Sequence, residues 1–358
     1  MFAWYGIIVL TIIIALFVPD RVAATDNVIK IESNSENKAL FFAILVGVIL
    51  SVTAGLRYCV GTDYSNYVRL YDGFIKGWWD SIKNFDEPAV PLLAKIGTFI
   101  QPAFPSMFLM VSLVTVSLYV KTIYKYCDSF WFGIALYLLS GEWQHSFNGI
   151  KQYLAAAVLF AGYYYLINKK FWKYLIVVLL ATCCHLSAIV MILPYFLVHR
   201  KFGFKMVALM VVIVFAVRSS YDSIFQFIGS IEDSFWYNSY VEEGVNWLRI
   251  AVSFAPLAFV CFMSEEFKSD KTTNFLINMC ILNAVIMIAC ANSKYLTRLS
   301  YYTQIYVCMA IPRFVGVLDE KKKGLVQLVV LAFYFVFWLY ETPDSFYWVM
   351  NTPFWMFK

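Results

Sequence analysis

Uninterrupted apolar runs punctuate the chain near residues 2–18, 39–56, 88–101, 103–120, 130–141, 152–167, 173–198, 204–217, 247–263, 273–291, 299–312 and 324–340. Strands of a membrane barrel would alternate polar and apolar residues with a period of two, whereas these runs are apolar on every side. A bilayer offers no water to the backbone, so such runs satisfy their amides as helices. Crossing takes about 20 residues. The pattern therefore predicts an all-α, polytopic transmembrane helical bundle, one integral membrane domain over 1–358. Ten full spans are expected, with both termini outside and one or two short or re-entrant helices besides. Residues 2–18 lack a basic leader and a small-residue cleavage site, so they read as a retained span. Neither a fixed-period repeat nor a pair of inverted halves is visible.

Two runs depart from this pattern. Residues 88–101 are short, hold Pro88 and Pro91 and end at Gln101-Pro102, which predicts a partly inserted or outer-face helix. The run 173–198 lies between two basic clusters, Lys169/Lys170/Lys173 and Arg200/Lys201/Lys205, that both belong on the cytoplasmic side. A single crossing cannot return to the side it left. Two shorter helices are expected instead, broken around Cys183-Cys184-His185, with His185 near the tip. Residues 219–246 carry Asp222, Glu232, Asp233, Glu242 and Glu243 and neither Lys nor Arg, which places them outside.

Composition agrees. Of 358 residues, 61% are hydrophobic and 14% charged, against ~25% charged in a soluble domain, so an ordinary soluble enzyme is excluded. The net charge of +5 is scattered rather than gathered into a stripe, which excludes a nucleic-acid partner. Eight cysteines fall mostly in apolar runs without CxxC or Cys/His spacing, so neither metal nor cofactor is expected.

Four places put polar groups where a membrane protein avoids them without need. The first is Arg57…Gly61-Thr62-Asp63-Tyr64…Tyr67, where Thr62 or Asp63 can cap a following helix and Arg57 can snorkel, or both can serve an outer-face site. The second is Asp86-Glu87-Pro88, a carboxylate at a helix start. The third is the hairpin Glu142…His145…Asn148…Lys151-Gln152, in which a cation opens a helix and wants an anion nearby. The fourth is Arg218, Arg249, Lys294 and Arg298 at outer span ends, against the positive-inside trend. Guanidinium forks match phosphate oxygens, which makes a lipid pyrophosphate a natural guest. His185 stands alone in an apolar setting, as a core imidazole or as a functional one. The outer tyrosines and tryptophans, Tyr64 and Tyr67 among them, are able to stack on sugar faces.

Taken in order, Arg57…Val-Gly-Thr-Asp63-Tyr64…Tyr67, Glu87 before an apolar helix, Lys151-Gln152-Tyr-Leu-Ala, His185-Leu-Ser-Ala and Arg298 at a late span resemble the EpsG family. That family is similar to Wzy-type polymerases of bacterial exopolysaccharide, capsule and O-antigen. The family usually has Arg-Gln where this chain has Lys151-Gln152, so charge is kept but bidentate phosphate binding is not. The resemblance implies a GT-C-like membrane glycosyltransferase architecture in the cytoplasmic membrane, with its site facing outside and segments 57–87 and 219–246 contributing. It implies transfer of a growing glycan from undecaprenyl pyrophosphate to a lipid-linked repeat unit, inverting and metal-independent. Implied partners are those lipid-linked units, membrane lipids, a chain-length regulator and a flippase. Asp63, His185, Glu142 and Glu87 are then the candidates for activating the acceptor hydroxyl. Arg57, Lys151, Arg218, Arg249 and Arg298 are candidates for the pyrophosphate, and Tyr64, Tyr67 and Gln152 for the glycan.

The rival readings are a lipid-linked-oligosaccharide flippase and a GT-C-type transferase using a lipid-phosphate sugar. A flippase needs polar groups through the bilayer's depth, whereas these gather at one face. The adjacent acids Asp86-Glu87 keep the second rival open. A membrane acyltransferase is disfavoured because the sequence shows no histidine paired with a nearby carboxylate.

Overall fold

The structure, a computed structural model, describes residues 2–20, 33–220 and 244–346. The acidic outer segment expected at 219–246 lies outside the described residues over 221–243. All regular elements among the described residues are helical. The chain divides into two compact units, Met1–Ile189 with Val315–Lys358, and Val190–Phe314.

The first unit contains α1 (Phe2–Ala15), α2 (Ser33–Gly55), α3 (Tyr64–Asn84), α4 (Ala89–Gly97), α5 (Phe104–Tyr126), α6 (Phe130–Leu139), α7 (Glu142–His145), α8 (Ile150–Ala161), α9 (Tyr163–Ile167) and α10 (Phe171–Thr182). The long helix Glu320–Phe346 belongs to it as well. Its core is the packing of α2 on α5, with α8 also packed against α5. One face of α2 (Ala39, Ala43, Val46, Leu50, Ala54) is buried, while Leu40, Phe41, Ile44 and Val48 on the other are exposed. Apolar groups left outside suit lipid, and small residues inside let the backbones close up. At Gly55 the approach is tightest: a Cβ there would lie 2.6 Å from the Leu109 Cα. Ser112 Oγ on α5 donates to the Ser51 carbonyl of α2 at 2.8 Å, which fixes the register of the pair.

Helix α3 is built differently. Tyr64 and Tyr71 are buried and Phe74, Ile75, Trp78 and Ile82 half-buried at helical spacing, with Arg69, Asp72, Lys76, Asp80 and Lys83 on the exposed face. A helix so divided suits a membrane–water boundary rather than a crossing, and it packs along α4. The cap expected from Thr62 or Asp63 is not made: Asp63 is the N-cap residue, but its side chain makes no capping bond. The Thr62 amide is instead held by Asn148 Oδ1 at 2.8 Å, a partner 86 positions away.

By length and composition, four described helices are able to cross a membrane: Glu36–Gly55, Phe104–Tyr126, Lys271–Ala289 and Lys321–Glu341. Further apolar helices are shorter, at 10–17 residues. The run 88–101 yields only the nine-residue α4, as its prolines predict. The run 173–198 is broken where expected, with α10 ending at Thr182 and a 3-10 segment opening at Leu186. The run 299–312 is not one helix but Arg298–Ser300, Tyr301–Gln304 and Val307–Val315. There Thr303 Oγ1 donates back to the Ser300 carbonyl at 3.0 Å, competing with the helical pattern.

The second unit is organised on Lys271–Ala289. Asp270 caps this helix at the Thr273 amide (3.0 Å) and also receives Arg313 Nη2 at 3.0 Å. Asn278 Nδ2 reaches the carbonyls of Val198 (3.0 Å) and Arg200 (2.7 Å), and Asn283 Oδ1 accepts from Thr303 at 2.9 Å. Buried asparagines at these positions tie loops and helices together where hydrophobicity cannot discriminate partners.

Candidate functional site

Three chain segments meet at Glu87. Helix α3 ends in a left-handed residue, Phe85 (φ +56), with the Asp86 amide donating to the Ser81 carbonyl at 2.9 Å. Two residues on, Glu87 is itself left-handed (φ +42), although it carries a side chain and precedes proline. Such a conformation costs about 1–3 kcal/mol and persists where surrounding contacts over-determine it. Those contacts are present. The Ala89 amide donates to the Cys183 carbonyl at 3.0 Å, docking the start of α4 on the break after α10.

Glu87 Oε1 accepts from the Leu186 amide at 2.9 Å and meets His185 Nδ1 at 2.5 Å. Glu87 Oε2 accepts from Lys151 Nζ at 2.9 Å. Burial opposes ionisation of this carboxyl, but the bonds and charges of His185 and Lys151 prevail and hold it at about 2. An ionised carboxylate only accepts, so His185 Nδ1 is the donor, and in the neutral imidazole the lone pair is on Nε2. The side chains of His185 and Lys151 are each 26% exposed and that of Glu87 17%. A solute can therefore reach the imidazole and the ammonium while the carboxylate stays behind them. Lys151 is the second residue of α8, and its Nζ lies 5.4 Å from the Phe74 ring of α3. The anion that a cation at a helix start calls for is thus Glu87, and the histidine without a visible carboxylate has one 98 positions away.

Arg57 follows α2 and is 4% exposed. Its guanidinium donates to the carbonyls of Ala54 (2.5 Å), Val60 (3.3 Å) and Phe147 (3.0 Å), and its carbon lies 4.5 Å from the Phe108 ring and 5.0 Å from that of Phe147. Burial lowers its pKa to about 10, against the opposing influence of the Tyr64 and Tyr67 phenols. Arg57 is a clamp that closes the 57–61 turn on the 142–149 hairpin. Asn148 completes the clamp at Thr62, and Gly61 (φ +104) passes so close that a Cβ would lie 2.7 Å from Asn148 Oδ1.

In the same hairpin Glu142 is fully buried, and neither carboxylate oxygen has a hydrogen-bond partner among the described residues. Burial pushes its pKa up to about 8. Beside it Trp143 Nε1 donates to the Leu50 carbonyl at 3.3 Å, and His145 Nε2 lies 3.9 Å from Glu341 Oε2 of the long helix.

Of the sequence candidates, the structure brings Glu87, Lys151 and His185 together. Asp63 is half-buried at the start of α3, Tyr64 is stacked on Phe108 at 4.9 Å, Tyr67 is half-buried and Gln152 is buried. Arg218, Arg249 and Arg298 belong to the second unit, where Arg218 donates to the Ile288 carbonyl (3.4 Å) and Asn292 Oδ1 (3.0 Å). Phe74 and the Leu186 amide were not foreseen: a phenylalanine on an amphipathic face and a backbone group carry no sequence mark. Among the described residues no group of three or more His, Cys, Asp or Glu is arranged to hold a metal.

No curated protein and no solved structure matches the chain. The EpsG family model matches residues 40–354, a stretch that contains Arg57, Glu87, Lys151, His185 and Arg298. The chain belongs to the EpsG family, a Wzy-like polymerase family.

Proposed function

We propose that this protein polymerises a polysaccharide at the outer face of the bacterial cytoplasmic membrane. It moves a growing glycan from undecaprenyl pyrophosphate onto a lipid-linked repeat unit, in exopolysaccharide, capsule or O-antigen synthesis. The observation that carries this reading is Glu87 bridging His185 and Lys151, with both partners open to a solute.

In this mechanism His185 Nε2 takes the proton of the acceptor hydroxyl as its oxygen attacks the anomeric carbon of the donor. The bond from that carbon to the pyrophosphate oxygen breaks, and the electron pair leaves with the pyrophosphate. One displacement inverts the anomeric centre. Glu87 fixes the tautomer of His185 and stabilises the imidazolium that forms. Lys151 meets the developing charge on the leaving group, and Tyr67 serves the glycan. The leaving group is already activated, so the step needs no metal. Asp63 remains a second candidate for the acceptor side.

Purified protein in liposomes with a lipid-linked repeat unit, with and without a chelator, tests this. A chelator-resistant ladder spaced by one repeat is the expected product. Movement of the lipid between leaflets without a ladder would instead make the protein a transporter.

A further inference from the structure

Resting on that reading, we infer that Lys151 is a shared cation: it holds Glu87 in the resting protein, and a diphosphate entering the site draws it away and leaves the carboxylate to His185 alone. Donor binding then switches on the base. Polymer extension becomes ordered, with the pyrophosphate end of the donor seated before the acceptor hydroxyl is activated.

The argument begins from the charges. One carboxylate faces two side-chain donors, the Lys151 ammonium on Oε2 and the His185 imidazole on Oε1, with the Leu186 amide also on Oε1. Lys151 is a compact charge on a flexible stem and lacks the planar fork with which an arginine grips two anions side by side. Phe74 lies 5.4 Å from its ammonium and Glu87 receives an N–H from it, and the open flank of the residue is the 26% of its side chain that remains exposed. A diphosphate carries more charge than a carboxylate and approaches from the open flank. Placed there, it repels Glu87 across the ammonium, and the carboxylate relaxes onto the imidazole. Arg57 offers no such exchange, because three backbone carbonyls and two rings enclose it. Among the described residues the buried Cys184 thiol also interacts electrostatically with Glu87.

Competition for one ammonium has a signature opposite to that of a structural role. Removing the carboxylate charge frees Lys151 for the ligand, so Glu87→Gln tightens diphosphate binding while lowering turnover. The coupling is reciprocal. The test is equilibrium binding of inorganic pyrophosphate to the full chain in nanodiscs, with undecaprenyl pyrophosphate as competitor to separate the free anion from the lipid-linked one. Glu87→Gln is expected to bind about tenfold tighter, the scale of one charge-assisted hydrogen bond. Lys151→Met is expected to bind about tenfold more weakly, and adding Glu87→Gln to it should restore nothing. Lys151→Arg keeps both anions, so the gain from Glu87→Gln shrinks in that background. Unchanged or weaker binding in folded Glu87→Gln, or the same gain without Lys151, overturns the inference. The two readings fail separately. A ladder without tightening removes the shared cation but keeps the polymerase, whereas tightening without a ladder does the reverse.

Discussion

Two carboxylates in one unit, Glu87 half-buried and Glu142 fully buried, behave in opposite ways. Glu87 has three donors within 2.9 Å and is held ionised, at about 2. Glu142 has none among the described residues, is pushed up to about 8 and is neutral at pH 7. Their backbones differ as well. At Glu87 the left-handed turn falls on the acid itself (φ +42), while at Glu142 it is displaced onto the preceding Gly141 (φ +85). Burial alone silences an acid. Burial with a donor set fixes an anion, and the strain at Glu87 is kept because the partners require that geometry.

The largest test of this contrast is polymer yield in reconstituted membranes. His185→Ala and Glu87→Gln should each lose about 10²–10⁴-fold, the range for general acid–base catalysis, whereas Glu142→Gln keeps wild-type ladders. Equal losses at both acids would break the comparison.

A smaller effect is expected at the buried cation, where charge serves packing. Arg57→Met strands three carbonyls and should destabilise the protein by roughly 3 kcal/mol, at about 1 kcal/mol for each lost bond, seen as a lower thermal midpoint in detergent. Lys151→Met should lower that midpoint by less than Arg57→Met does, while polymer yield falls about tenfold.

The smallest effect sharpens the pH behaviour of the two acids. Folded Glu142 keeps a proton that the unfolded chain releases near 4.5, so its contribution to stability falls as pH rises from there to about 8 and is level above. Glu142→Gln removes that slope, so its gain in thermal midpoint should be near zero at pH 4 and a few degrees at pH 8. Glu87 has the opposite sign: its stabilisation is full above 4.5 and is lost as pH falls toward 2. A Glu142→Gln gain that grew toward acid pH would contradict the assignment.

Much of this architecture can be read from the chain, because clusters of Lys and Arg and positions of proline act locally. The break at Cys183-Cys184-His185 follows from two basic clusters that belong on the same side and so cannot flank a single crossing, and the shortness of α4 from Pro88 and Pro91. That Lys151 wants an anion is visible as well. Which anion is not, since Glu87 lies 64 positions away and only folding makes them neighbours. Thr62 and Asp63 look like a cap because the motif is local, yet Asp63 makes no capping bond, and the Thr62 amide is held by Asn148 of the 142–149 hairpin. Arg57 resembles a ligand for phosphate in sequence for the same reason: the carbonyl of Phe147 that it serves has no sequence signature. Hydropathy joined 299–312 into one run because it is blind to side chains such as Thr303 that bond their own backbone.

The left-handed junction at Glu87 also sets a timetable for synthesis. Its three anchoring segments all precede residue 190, and the Val190–Phe314 unit is inserted into the sequence of the unit that carries them. The carboxylate, the ammonium and the imidazole are therefore all translated before any part of the second unit. The Glu341 contact of the 142–149 hairpin arrives only with the last long helix. This ion-paired trio is the early-made part of the protein, and the contact that finishes its neighbouring hairpin is among the late ones.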